Sequence, residues 1–174
     1  MNILIVGAGQ LGSRHLQSLM KYPSKLMIYV LDSSQESLEL SRGRVAEIQN
    51  DYCTEVFYFE TLNAVTESSF YLTVVATSSE PRFVILNQLI EHFQSEKYIL
   101  EKFLFQDANS YRLAANLIDG TNSHVYVNCP LRTWPIYKEI KVEISHLDGP
   151  VTMRYYGGDW IGLGCNSIHY IDLL

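Results

Sequence analysis

Cysteine, positive charge and long apolar runs are scarce in this sequence. The three cysteines, Cys53, Cys129 and Cys165, are widely spaced and form no C-x-x-C pair, so they indicate neither a disulfide framework nor a zinc site. No stretch reaches the roughly 18 apolar residues of a membrane span. The net charge of −6 argues against nucleic acid as a partner, because nucleic-acid binding needs clustered lysine and arginine. We therefore expect a cytoplasmic protein without a metal site that binds neither membranes nor nucleic acid.

Linkers, repeats and low-complexity stretches are also absent, and the apolar segments alternate in type. The 174 residues suffice for one domain and the start of another. Up to residue 127, short buried-strand patterns alternate with helical ones, which is typical of an α/β fold with a Rossmann-type, doubly wound parallel sheet. The predicted strands are 2–6, 26–32, 56–59, 70–76, 98–100 and 124–127, and the predicted helices are 11–21, 35–48, 81–93 and 108–118.

The pattern changes after the dinucleotide-binding domain predicted at 1–127, and we expect 128–174 to be the start of an α+β second domain. Two candidate strands, 140–144 and 151–156, follow a short helical stretch. From Ile161 onward a glycine turn opens a helix, and the sequence stops within that apolar helical pattern. The chain is therefore expected to be a fragment or a truncated gene product.

The most informative motif is G-x-G-x-x-G at Gly7, Gly9 and Gly12, between the first predicted strand and the first predicted helix. In this context the first glycine permits a tight turn, the second lets the backbone approach a pyrophosphate, and the third lets the helix pack against the strand. Gln10 and Leu11 then supply N–H groups at the positive end of the helix dipole, where an anion binds. The motif predicts a dinucleotide site.

Asp32 ends the second predicted strand, 20 residues after Gly12. A carboxylate there accepts a hydrogen bond from the adenosine ribose 2′-OH and repels a 2′-phosphate, which favours NAD over NADP. Ser33 and Ser34 leave NADP open as a cofactor, because their hydroxyls can bind a phosphate. The alternative interpretation makes Asp32 an ordinary turn residue or the N-cap of the next helix.

Small side chains follow the strand predicted at 70–76, at the edge where open α/β sheets bind ligands. Ala76, Thr77 and Ser78 can approach the nicotinamide ribose or ring. The alternative is an N-capping loop for the helix at 81–93, and one segment can serve both purposes.

Glu101 and Lys102 directly follow the strand predicted at 98–100, and we expect both to border the cofactor. A lysine there points into the cleft beside the nicotinamide, where it can hold a hydroxyl or carbonyl oxygen. The alternative is a solvated lysine at the end of a strand.

Cys165, His169 and Asp172 are spaced at i, i+4 and i+7, so they share one face of the last predicted helix. A histidine on that face can exchange a proton with a substrate hydroxyl near neutral pH. The alternatives are a metal pair, a cysteine nucleophile and a buried structural histidine.

The order of these segments resembles the Gfo/Idh/MocA oxidoreductases, a family that includes glucose–fructose oxidoreductase and inositol dehydrogenase. The resemblance extends over essentially the whole chain. The similar segments are the glycine loop 7–12 with His15, 76–77 (the family's A-T-P loop), 101–102 (its E-K-P motif), 128 with 132–137 (the entry into its second domain) and 167–173 (its G-x-H-x-x-D-L segment).

The resemblance implies roles for single residues. Lys102 would be the catalytic lysine and His169 the second catalytic or substrate-orienting residue, while Arg132 and Asn166 would contact the substrate. The cofactor would be NAD. The substrate would be a small sugar-like molecule (a sugar, nucleotide sugar or cyclitol), with surface-polysaccharide biosynthesis as one setting. For a full-length form the resemblance allows a homo-oligomer.

Four positions depart from the family pattern. Phe103 replaces the proline after the lysine, so we expect the backbone there to run differently. Ser78 and Arg82 stand where the family usually has proline and histidine. Cys165 replaces a frequent aspartate, and a neutral thiol supplies neither the charge nor the hydrogen-bonding capacity of a carboxylate. Asn166 compensates only in part, because it is one residue out of register.

These observations leave functions of two classes. Lys102 and His169 favour an NAD(P)-dependent oxidoreductase that transfers a hydride between nicotinamide and a hydroxyl or carbonyl group. Phe103, Cys165 and the shortness of the second domain favour a non-catalytic dinucleotide sensor or regulatory scaffold of the same fold. Biliverdin-type or imine reduction on the same scaffold is a third interpretation, which need not use the lysine–histidine pair.

Overall fold

The computed structural model describes residues 1–156 and 163–173. The chain forms two compact units, Met1–Val127 and Asn128–Leu174. The first unit is built on a β-sheet, and the described part of the second is helical or irregular. Within the described ranges, no helix has both the length and the apolar character that crossing a membrane requires.

A parallel sheet of six strands organises the first unit. Its strands are β1 Asn2–Val6, β2 Met27–Leu31, β3 Glu55–Phe59, β4 Ser69–Val75, β5 Gln94–Leu100 and β6 His124–Val127. Their order across the sheet is β3-β2-β1-β4-β5-β6, and every neighbouring pair is parallel. In this register Val6 pairs with Leu31 on one side and with Val75 on the other. The α/β, Rossmann-type doubly wound fold predicted from the sequence is confirmed.

Helices cover both faces of this sheet, so its central strands are almost entirely apolar. On one face, Leu16 and Leu38 pack against the strands and are completely buried. On the other, Leu86, Ala114 and Tyr98 belong to a second buried cluster. The first unit has four α-helices, α1 Gln10–Met20, α2 Gln35–Ala46, α3 Ser79–His92 and α4 Ala108–Asp119, and a 3-10 helix at Leu62–Ala64.

The second unit contains two described helices, α5 Pro135–Ser145 and α6 Leu163–Ile171. A short 3-10 helix at Pro130–Thr133 precedes them. The helix predicted in the last segment is present as α6. The glycine turn predicted at Ile161 falls outside the described residues.

The strand predicted at 140–144 is wrong, because this segment lies inside α5. Ile136, Ile140 and Ile144 recur every four residues, so the pattern that alternates over 140–144 also fits a helix. Pro135 at the first helical position favours the helix, since its fixed φ suits a helix start and its missing N–H costs nothing there.

The strand predicted at 151–156 is also not formed, and this segment has no regular secondary structure. A strand needs a neighbouring strand for its backbone hydrogen bonds. The described residues of the second unit offer none, which explains why the β-branched and aromatic residues here do not form a strand.

Candidate functional site

The parallel sheet brings the ends of four strands to one edge. Because β2, β1, β4 and β5 are neighbours in that order, the segments that follow them lie side by side. β1 has β2 on one side and β4 on the other, so this edge contains the switch point at which open α/β sheets bind ligands. The cofactor residues predicted from the sequence all follow these four strands.

Two glycines of the loop after β1 are required by the backbone itself. Gly7 has a φ of +92°, a conformation that favours glycine, and its N–H donates to the carbonyl of Leu31 at 2.8 Å. A Cβ placed on Gly12 would lie 1.7 Å from the carbonyl oxygen of Gly7. The close approach of α1 to the loop is therefore compatible only with glycine at position 12.

Gly9 differs from both, because it borders open space. A Cβ placed there would meet no described atom within 4 Å. Gln10 and Leu11 follow as exposed residues of the first turn of α1, where backbone N–H groups have no partner within the helix. Exposed backbone at the amino end of a helix fits a pyrophosphate, so this loop suits the dinucleotide that the motif predicts.

The carboxylate of Asp32 lies against the glycine loop. Its Oδ2 accepts from the Ala8 N–H at 2.7 Å, and its Oδ1 accepts from the Ser34 N–H at 2.8 Å. Each carboxylate oxygen can accept a second hydrogen bond, so a ribose hydroxyl can still bind. The N-cap alternative for Asp32 is wrong, because Ser34 holds that position and accepts from the Ser37 N–H. Ser33 is exposed between the two.

The segment after β4 connects to β1 and opens α3. The Ala76 N–H donates to the carbonyl of Val6 at 2.8 Å. The Thr77 hydroxyl is buried and has no hydrogen-bond partner in the part of the chain that the structure describes. Ser78 holds the N-cap position of α3, but its side chain makes no capping hydrogen bond. The segment thus leads into the helix without using either hydroxyl to cap it.

Glu101 is buried at the end of β5 and pairs with a residue of α1. It is 3% exposed, and its Oε1 lies 2.8 Å from Nε2 of His15. Lys102 follows and is half-buried, with its Nζ 6.0 Å from the centre of the Phe103 ring. The peptide bond between Lys102 and Phe103 is cis. The contact between His15 and Glu101 links the helix of the glycine loop to the segment that carries Lys102.

Arg82 is a residue of this site whose contacts the sequence does not reveal. It lies in the first turn of α3 and is 2% exposed. Burial lowers the pKa of Arg82, and the charge of Glu101 opposes that shift. Its guanidinium donates to the main-chain carbonyls of Thr77, Glu101, Phe103 and Leu104. An arginine near a helix start is ordinary in sequence, so no local signal distinguishes this buried one from an exposed one.

The other candidate residues belong to the second unit. Asn166 and His169 are half-buried on α6. Nη2 of Arg132 lies 2.6 Å from Oδ1 of Asp172, so this predicted substrate residue also forms an ion pair within its own unit. The side chain of Cys165 lies outside the described residues.

The structure thus assembles the predicted residues in two groups. In the first unit the glycine loop, Asp32 and the segments after β4 and β5 share one edge of the sheet. In the second unit Arg132 meets the segment that contains α6. Lys102 belongs to the first group and His169 to the second, so their joint action stays a prediction.

Comparisons with known proteins concern the fold. No protein-family model matches the chain, and no curated protein matches it. Among solved structures, scyllo-inositol dehydrogenase from Lactobacillus casei, with bound NAD(H) and scyllo-inositol, is similar at a TM-score of 0.66 and 15% identity, over 83% of this chain and 41% of that one. Myo-inositol 2-dehydrogenase from Lactobacillus plantarum has a TM-score of 0.65 and 16% identity, with the same two coverages of 83% and 41%.

A third similar structure is the WlbA (WbpB) dehydrogenase from Thermus thermophilus in complex with NAD and UDP-GlcNAcA. Its TM-score is 0.66 at 18% identity, over 100% of this chain and 62% of that one. The chain spans about two fifths of the length of the two inositol dehydrogenases. It therefore has the Rossmann-type α/β fold of inositol dehydrogenases and related oxidoreductases, which agrees at the level of fold with the resemblance found in the motif order.

Proposed function

We propose that this chain binds NAD at the edge shared by β2, β1, β4 and β5. The observation that carries the proposal is the Asp32 carboxylate, which accepts from the Ala8 N–H at 2.7 Å. This contact puts an acceptor for a ribose hydroxyl beside the open backbone at Gly9 and the amino end of α1, which is the combination that a dinucleotide needs. The bound NAD(H) and NAD in two structures of similar fold support the same cofactor here.

Charge favours NAD over NADP in this proposal. Asp32 would repel a 2′-phosphate at the distance at which it accepts from a ribose hydroxyl. Ser33 offers a hydroxyl to a 2′-phosphate but no positive charge that would offset its repulsion by Asp32. The backbone N–H groups of Gln10 and Leu11 hold the pyrophosphate, and the segment 76–78 lines the nicotinamide end.

The activity that we infer is hydride transfer between the nicotinamide and the carbon of a hydroxyl or carbonyl group. When bound, the cofactor donates or accepts the hydride. Lys102 holds the substrate oxygen and exchanges its proton through Nζ. His169 is the second proton-transfer or substrate-orienting group. Arg132 keeps N–H donors beyond the one that meets Asp172, and it orients the substrate from those donors.

We infer that the substrate is a sugar, a nucleotide sugar or a cyclitol. Scyllo-inositol and UDP-GlcNAcA, bound in two structures of similar fold, support this class. Asn166 is a second substrate contact in this proposal. The setting that we propose is surface-polysaccharide biosynthesis in the cytoplasm, carried out by a homo-oligomer.

A non-catalytic dinucleotide sensor or scaffold is the second candidate. Phe103 and Cys165 favour it, because they stand where the resembled family has proline and aspartate. The sensor would use the same cofactor site. Cofactor binding therefore tests both candidates together, and turnover separates them.

Titration of the purified chain with NADH and with NADPH, followed by nicotinamide fluorescence, tests the cofactor site. We expect NADH to bind at least roughly tenfold more tightly than NADPH, and we expect Asp32→Asn to reduce this ratio because it removes the repelling charge. Asp148→Asn, an exposed change in the second unit, is the matched control. A wild-type preference for NADPH would contradict the role of Asp32, and binding of neither would contradict the whole proposal.

Reduction of NAD in the presence of sugars, cyclitols and nucleotide sugars tests the catalytic assignment. We expect Lys102→Ala to lower turnover by about 10²–10⁴-fold, as loss of a general acid–base group does, and to leave NADH affinity unchanged. Lys138→Ala, which alters an exposed lysine of α5, should keep full activity. A wild-type chain that binds NADH and turns over none of these compounds would favour the sensor.

A further inference from the structure

We propose that Arg82 is a positioning residue that holds Lys102 at the edge of the sheet. The inference rests on the proposed function, because that function gives Lys102 its catalytic role. The hydrogen bonds of Arg82 that support the inference all lie within the first unit. Arg82 lies in the first turn of α3, whereas Lys102 lies just beyond β5. The guanidinium joins these two segments.

The two terminal nitrogens of Arg82 divide between the segments after β4 and β5. Nη2 donates to the carbonyl of Thr77, which precedes the N-cap residue of α3. Nη1 donates to the carbonyl of Glu101 at 2.5 Å and also to that of Phe103. Glu101 and Phe103 are the two neighbours of Lys102 in the chain. The main chain on both sides of the lysine is therefore bound to one buried cation.

Burial makes these hydrogen bonds strong and costly to lose. Arg82 is 2% exposed, and a buried charge without acceptors is highly unfavourable. The carbonyl oxygen of Leu104 lies 3.1 Å from Nη1, so the two N–H groups of Nη1 are shared among the three carbonyls of Glu101, Phe103 and Leu104. Hydrogen bonds from a charged donor are roughly twice as strong as neutral ones. The Gfo/Idh/MocA family, which the sequence resembles, usually has a histidine at this position. A histidine offers at most two N–H groups and cannot donate to all four of these carbonyls.

The same segment is held from a second direction. The Glu101 carboxylate meets His15 of α1 at 2.8 Å, while its carbonyl meets Arg82 of α3. Thr77, which belongs to the proposed nicotinamide end, shares the guanidinium with the lysine segment. We therefore expect the segment after β4 and Lys102 to keep a constant separation, which is what proton transfer next to a bound nicotinamide requires.

Hydrogen exchange read by mass spectrometry tests the positioning role in the full chain. The variants are Arg82→Ala and Arg82→Lys. Arg112→Ala is the matched control, since Arg112 is an exposed residue of α4 that donates to the exposed side chain of Asn109. We expect exchange over 101–105 to rise by roughly tenfold or more in both Arg82 variants and to change by less than about threefold over 2–31. The control should change neither.

Chemical rescue and lysine reactivity give readouts that general destabilisation would not produce. Millimolar guanidinium should restore protection over 101–105 in Arg82→Ala, because it refills the vacated space. It should not do so in Arg82→Lys, whose side chain still occupies that space without the planar fork. The acylation rate of Lys102 relative to that of Lys25 should change by at least roughly threefold in Arg82→Ala and return with guanidinium.

Unchanged exchange over 101–105 in a folded Arg82 variant would overturn the inference. An equal rise over the whole first unit would also overturn it, because that result describes an arginine with a general structural role. If Arg82→Ala does not fold, Arg82→Lys provides the same comparison. NADH titration of the same samples keeps the two proposals separate: a wild-type chain that binds no NADH contradicts the proposed function, whereas the exchange data decide whether Arg82 holds the segment.

Discussion

Two of the three glycines in the loop after β1 are required by the fold, and the third is not. Gly7 has a φ of +92°, a conformation that favours glycine, and a Cβ added to Gly12 would lie only 1.7 Å from the carbonyl oxygen of Gly7. Gly9 satisfies neither need, because the space beside it is open. At the scale of the single residue, a binding role for the loop is therefore separable from its structural role.

Gly9→Ala and Gly12→Ala are expected to have opposite consequences. Gly9→Ala should change the free energy of unfolding by no more than about 0.5 kcal/mol, yet weaken NADH binding by roughly tenfold or more because a methyl group enters the pyrophosphate cradle. Gly12→Ala should destabilise the fold by about 1–3 kcal/mol, since α1 must shift. Urea unfolding and NADH fluorescence measure the two effects.

Gly43→Ala is the control for this pair, because Gly43 lies within α2 and also borders open space. We expect it to stabilise the chain by about 0.5–1 kcal/mol, as alanine does in place of glycine in a helix, and to leave NADH binding unchanged. If Gly9→Ala bound NADH with the same affinity as the wild type, the proposed cofactor role of the loop would be contradicted.

At the scale of elements, the differences from prediction arise where a segment depends on a distant partner. β5 begins at Gln94, four residues before the predicted start, because Gln94 pairs with Ser69 of β4. The residues 94–97 are mostly polar, so the sequence alone shows no strand there. In α5 the sequence pattern suggests a strand, but the segment is helical. The spacing of its isoleucines is compatible with both helix and strand.

α3 should depend on its buried face for most of its contribution to stability. We expect Leu86→Ala to cost about 2–5 kcal/mol, because Leu86 is fully buried in the cluster that includes Tyr98. Val84→Ala on the same helix should cost no more than about 0.5 kcal/mol, since Val84 is 57% exposed. Urea unfolding followed by circular dichroism compares the two, and equal costs would contradict the assigned face of the helix.

At the scale of the whole molecule, burial in the first unit also makes stability depend on pH. Burial raises the pKa of Tyr98 to about 12, whereas an unfolded tyrosine has a pKa of about 10. The folded state therefore holds this proton more tightly. The resulting stabilisation is complete below pH of about 10 and is lost as the pH rises towards 12.

Tyr98→Phe isolates this contribution. Between about pH 10 and about pH 12, we expect the free energy of unfolding of the wild type to fall more steeply than that of the variant, because only the wild type must ionise this buried phenol on unfolding. Urea midpoints measured across the range give both slopes. Parallel curves would show that Tyr98 does not contribute to the alkaline loss of stability.

Much of the candidate site was predictable because its signals are local. A buried strand, three glycines at fixed spacing and an acid after the next strand all follow from short-range pattern, and they led to Asp32 and the glycine loop. Arg82 and the partner of Glu101 were not predictable in this way. Glu101 meets His15 across 86 positions and Arg82 across 19, and such contacts depend on which elements become neighbours.

The sequence by itself determined the α/β class, the order of the strands and α-helices along the first unit and, to within one residue, where its strands end. Only the tertiary structure decided that β4 lies beside β1 and that Arg82 is buried among four carbonyls. The physical reason is range: periodicity and turn chemistry act within a few residues, whereas strand order, burial and the partners of buried charges are set by packing between segments far apart in the chain.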